Sequence, residues 1–184
     1  MLEVKVIGKY RIFDSDKGAI KFDRDTKVAR AFAYLCIFGN LPKSELLTYG
    51  KQAVSRIENL FSKYLTVSND MYTVHDVKVD YNEFCTLVSS HDSSALSSYP
   101  AGRILPMYDE VWIPHITNLY LQHLEFWLSE FGSQSDYDEL RGLFGRTKYQ
   151  AKLDEHFKLG SRSLKIKSIK EVEGVLNFAS IKYA

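Results

Sequence analysis

The chain has 184 residues, 45% hydrophobic and 26% charged, proportions that suit a globular protein of one domain or two small ones. Its apolar runs fall short of the roughly 18 residues that cross a bilayer, and Cys36 and Cys85, each inside an apolar pattern, read as reduced core thiols. A net charge of +1 conceals a split: residues 1–139 hold 14 Lys+Arg against 19 Asp+Glu, and residues 140–170 hold nine against two, so only the later segment is a candidate polyanion contact by charge.

The opening residues Met-Leu-Glu-Val-Lys-Val-Ile-Gly alternate charged and apolar side chains and contain no signal-peptide core, so a cytoplasmic location without membrane contact is expected. Leu2, Val4 and Val6 have the period of a strand, and Tyr10, Ile12 and residues 19–22 predict further strands across the turn Asp14–Gly18. Val28, Ala31, Phe32, Leu35 and Cys36 then follow helical spacing, which Gly39-Asn40-Leu41-Pro42 stops. A short helix from Ser44 ends at Gly50, and an amphipathic one is expected over residues 51–64. Two β-rich runs flank Asn69-Asp70, which predicts a hairpin.

Asp80-Tyr81-Asn82-Glu83 has the form of a capping box and starts a helix carrying Tyr81, Phe84, Leu87 and Val88. The small polar residues 89–99 read as a loop or a weak helix. A long helix is expected from Pro106 or Tyr108 to Trp127 or Phe131, with Pro114 in its first turn or at a kink. Further helices are expected from Ser135 to Gly145 and over residues 148–158. The final residues alternate again and predict a C-terminal β-hairpin. The expected class is α+β: an N-terminal winged helix with a small antiparallel sheet over residues 1–78, then a helical region over 79–184.

The helix from Lys51 is the candidate recognition helix, because Arg, Asn and Gln suit base edges and Lys suits phosphates. Gln52, Ser55, Arg56, Asn59 and Lys63 share its polar face, with Lys51 at its start and Tyr72 near the hairpin. Other chemistry has weaker support. His115 and His123 lack a zinc-ligand spacing, His91-Asp92 lacks the setting of a nucleophile, and no phosphate-cradling glycine loop is present. No enzyme activity, metal or cofactor is therefore expected.

In order and spacing, several stretches resemble the bacterial transcriptional activators of the antibiotic regulatory protein type. These are Met1–Phe13, Ala29–Pro42, Val54-Ser-Arg-Ile-Glu-Asn-Leu-Phe61, Tyr72–Asp80, and Leu105-Pro106 with Tyr108-Asp109 and Trp112. The resemblance covers about residues 1–131. It implies an OmpR-like winged helix, a shortened activator domain, binding to double-stranded DNA, contact with RNA polymerase and pairing as a homodimer. Two departures stand beside it: the linker before Lys51 is short, and the helical repeats do not continue past residue 145. With an acidic first 139 residues and a hairpin tip lacking Lys and Arg, they leave a second reading open. In that reading the scaffold is a protein-interaction module that no longer reads DNA.

Overall fold

Alternating apolar and polar side chains make the first strands. A computed structural model describes residues 1–21 and 26–158. In it, β1 (Leu2–Lys5), β2 (Arg11–Asp14) and β3 (Gly18–Ile20) form a meander with Leu2, Val4 and Ile12 buried. Helix α1 (Thr26–Phe38) follows, and its buried stripe of Val28, Ala31, Phe32, Leu35 and Cys36 matches the spacing of the sequence. Gly39, at φ 77°, ends it in a conformation that glycine adopts without strain.

The residues expected only to stop α1 instead form a strand, β4 (Asn40–Pro42). Then come α2 (Lys43–Leu47), α3 (Lys51–Phe61) and a 3₁₀ turn, Ser62–Tyr64, so the expected helix over 51–64 changes character in its last residues. Strands β5 (Leu65–Ser68) and β6 (Met71–Val74) are joined through Asn69 and Asp70, both at positive φ as a tight hairpin turn demands. β4 adds to the far side of β6, giving a three-stranded antiparallel sheet of order β4-β6-β5.

Strand β7 (Val77–Val79) returns to the first sheet and pairs with β1 in parallel, giving the order β3-β2-β1-β7. That sheet is therefore mixed rather than purely antiparallel as expected. The physical reason is connectivity: everything from β2 to β6 lies between β1 and β7, more than the length of crossover that a parallel pair needs. Helix α4 (Asp80–Ser89) buries Tyr81, Phe84 and Val88, and a single turn, α5 (Ala95–Ser98), lies in the polar stretch. The long helix α6 (Ile113–Phe131) begins several residues later than expected, which places Pro114 in its first turn, where no N–H is missed.

Helix α7 (Gln134–Phe144) starts from a reciprocal capping box between Ser133 and Asp136. α8 covers residues 148–158. The fold is α+β. The expected C-terminal hairpin lies outside the described residues. The chain divides into two compact units, Met1–His123 and a second starting at Leu124. The boundary expected between residues 78 and 79 instead cuts β7, whose pairing with β1 holds the following residues in the first unit.

Within the second unit, Tyr137 stacks on Phe157 at 5.1 Å and its hydroxyl donates to Asp154 Oδ1 at 2.9 Å. Tyr149 and Leu153 of α8 are buried.

Candidate nucleic-acid interface

Helix α3 is amphipathic because Ala53, Val54, Ile57 and Phe61 recur on one side, and all four are buried. Phe61 stacks face to face on Phe32 of α1, with ring centroids 3.7 Å apart. Gly50 precedes the helix at φ 102°, so the turn from α2 is as short as its sequence suggests. The opposite side leaves Lys51, Gln52, Ser55, Arg56 and Asn59 exposed. These five expected contact residues are brought together on one face.

The other two are not available in the same way. Tyr72 is fully buried, which corrects its expected place at the nucleic-acid surface. It faces inward on β6 because period-2 alternation sets its ring toward the helices, and its hydroxyl donates to Glu58 Oε1. Burial first, and the Glu58 carboxylate second, push the Tyr72 hydroxyl pKa up to about 12, so it remains a neutral donor. Lys63 lies in the 3₁₀ turn beyond α3 and forms an ion pair with Asp16 of the β2–β3 turn. That hydrogen bond is the main reason Lys63 is raised and Asp16 lowered from their ordinary values.

Carboxylates around the α2–α3 unit are held by phenols. Glu58 is the sole acid on α3 and is tied to Tyr72. Glu45 of α2 accepts from the Tyr34 hydroxyl at 2.7 Å, and burial followed by Glu45 pushes that hydroxyl pKa up to about 12. Sequence inspection missed this partnering, since neither tyrosine is close in the chain to its glutamate. The hairpin tip differs: Asn69 and Asp70 are exposed, and no cation occupies the turn.

The 105–112 stretch meets the same elements from another side. Leu105 is fully buried at φ 39°. Trp112 stacks on Tyr34 at 5.0 Å and donates from Nε1 to the Tyr49 hydroxyl at 2.9 Å. Tyr49 in turn donates to Glu110 Oε2 at 3.2 Å, while Arg30 of α1 pairs with Glu110 Oε1 at 2.6 Å. The segment is thereby fastened to α1 and to the turn entering α3.

The basic segment is partly engaged within its own unit. Arg141 pairs with Asp154 at 3.0 Å, Lys152 approaches Glu125 at 3.9 Å, and Lys148 lies over the Tyr149 ring at 5.1 Å. Among the described residues no group of three His, Cys, Asp or Glu side chains could hold a metal ion. Nor is any helix among them long and apolar enough to cross a membrane. No protein-family model matches this chain, and neither do the curated proteins or the solved structures.

Proposed function

We propose that this protein is a non-enzymatic, winged-helix regulator of transcription that binds double-stranded DNA through α3. One observation carries the reading: α3 presents Lys51, Gln52, Ser55, Arg56 and Asn59 together, while its sole acid is turned into a hydrogen bond with Tyr72. A helix fits the major groove, where Arg56, Asn59 and Gln52 have the donors and acceptors to read base edges. Lys51 and Ser55 suit phosphate contacts that set the register. The order of α1, β4, α2, α3 and the β5–β6 hairpin supports the winged-helix assignment. Resemblance to the antibiotic regulatory proteins extends the proposal to RNA polymerase contact and pairing on repeated sites. It rests on sequence motifs alone.

A salt titration of duplex binding tests this reading. Affinity should fall steeply with salt, with a slope that counts neutralised phosphates. Arg56→Ala should leave the fold intact and cost roughly 1–3 kcal/mol on a preferred site. Absence of duplex binding at low salt would sink the proposal. It would favour the interaction-module reading, which the exposed Asp70 at the hairpin tip and the Lys63–Asp16 ion pair support.

A further inference from the structure

The outer face of the first sheet holds a second cationic surface that the duplex reading does not use. Alternation along the strands leaves Glu3 and Lys5 of β1, Arg11 and Phe13 of β2, and Ala19 of β3 exposed. The register sets Lys5 directly opposite Arg11. Lys21, also exposed, lies one residue past the Ile12–Ile20 rung, on the Arg11 side. Like charges facing each other across strands destabilise a sheet. Among the described residues no ion pair joins Lys5, Arg11 or Lys21 to an acid, although Lys5 feels the Asp80 carboxylate and, with Lys9 and Arg11, also borders an adjoining groove that holds Asp80 and Glu83.

These cations, with the exposed Lys9, line a groove of about 920 Å³. Its apolar lining includes Phe13, 50% exposed, and Met107, 57% exposed. Among the described residues Glu3 is the one acid that lines it, and it sits between Lys78 and Phe13 in register. Residues 1–123 carry 14 Lys+Arg and 14 Asp+Glu, so four cations beside one acid among the described lining residues make a local excess of positive charge, with Asp80 and Glu83 in the adjoining groove.

We propose that this sheet face binds a single-stranded nucleic acid, with Lys5, Lys9, Arg11 and Lys21 on phosphates and the Phe13 ring stacked on a base. Cations that track a backbone beside an exposed aromatic ring are what sequence-tolerant single-strand binding requires. A duplex offers no unstacked base to Phe13. A bilayer is flat, whereas this surface is a groove, which suits a linear polyanion.

The test is fluorescence anisotropy of the full chain with a labelled oligodeoxythymidine of about 12 nucleotides, spanning the site size of one such surface. Wild type should bind it with an affinity that falls as salt rises. Arg11→Glu should weaken binding by at least about tenfold and raise the melting temperature, because it sets an opposite charge against Lys5. Phe13→Ala should lose about tenfold with an unchanged salt slope, and Arg56→Ala should bind as wild type.

The inference is overturned by absence of binding at about 50 mM salt, or by an Arg11→Glu protein that binds normally. An effect of Arg11→Glu without one of Phe13→Ala would reduce the face to a plain electrostatic surface and overturn it too. So would a loss with Arg56→Ala as large as that with Arg11→Glu, since the site would then be α3. Binding of phosphatidylserine vesicles that depends on Arg11, without oligonucleotide binding, would mean a lipid-facing surface instead. Duplex affinity with Arg56→Ala is read separately, so either proposal can fail alone.

Discussion

Asp80 shows how one side chain can do more than its local sequence implies. The expected capping box between Asp80 and Glu83 does not form, because Val79 takes the N-cap position with no side-chain cap hydrogen bond, and Asp80 Oδ1 accepts instead from the adjacent Tyr81 N at 2.8 Å. The same carboxylate also accepts from Val6 N at 2.8 Å and Ile7 N at 3.1 Å, clamping the end of β1 to α4. Burial raises the Asp80 pKa above its ordinary 3.8, with the backbone donors of Val6, Ile7 and Tyr81 working against that shift. The folded protein therefore holds this proton to higher pH than the unfolded chain. Its stabilising contribution is complete below the unfolded value and is lost as pH rises through the folded one. Asp80→Asn, which cannot titrate and turns an amide N–H₂ toward a backbone N–H, should cost about 1–3 kcal/mol. Urea unfolding should show a larger deficit at about pH 4 than at about pH 7. A deficit that grows toward neutrality would mean that the backbone donors outweigh burial.

At the scale of elements, the 105–112 stretch behaves as a strap although it has little regular structure. Its path is set at one end by backbone hydrogen bonds, Gly8 N to Arg103 O at 2.7 Å and Leu105 N to Val6 O at 2.9 Å. At the other end Trp112 and Glu110 engage Tyr49, Tyr34 and Arg30. Trp112 is 9% exposed, so Trp112→Ala should destabilise the protein by roughly 3–5 kcal/mol, as truncation of a buried aromatic does. It also takes the indole donor from Tyr49, next to the turn into α3. A thermal melt equal to wild type would show that the indole serves as an exposed anchor for another molecule.

At the scale of the whole molecule, the second unit contains a short helical core of its own. Tyr137, Leu140 and Phe144 of α7, and Tyr149 and Leu153 of α8, are buried. Ending the chain after Lys158 keeps these contacts, whereas ending it after Arg146 removes α8 entirely. The shorter protein should be less stable than the longer one by roughly 3 kcal/mol or more, on about 1.5–3 kcal/mol for each buried side chain lost. Circular dichroism melting of the two truncations makes the comparison. Equal melting would show that α8 adds nothing to the core.

Local patterns carried much of the architecture. The α+β class, the amphipathic α3 and the Asn69-Asp70 hairpin were legible because periodicity and turn chemistry act over a few residues. So was the exposure of Lys51, Gln52, Ser55, Arg56 and Asn59, which follows from the apolar stripe behind them. β4 and β7 were not legible as strands, since each has three residues and exists by pairing with a strand distant in the chain. Tertiary structure also decided the fate of individual site residues. Lys63 meets an aspartate 47 positions away, Tyr72 turns inward to Glu58, and Asp80 reaches back 74 residues to Val6. Sequence by itself determined which faces are apolar, because that is a property of spacing. Which charges are satisfied, and which remain exposed to meet a partner, depended on the groups that folding brings alongside them.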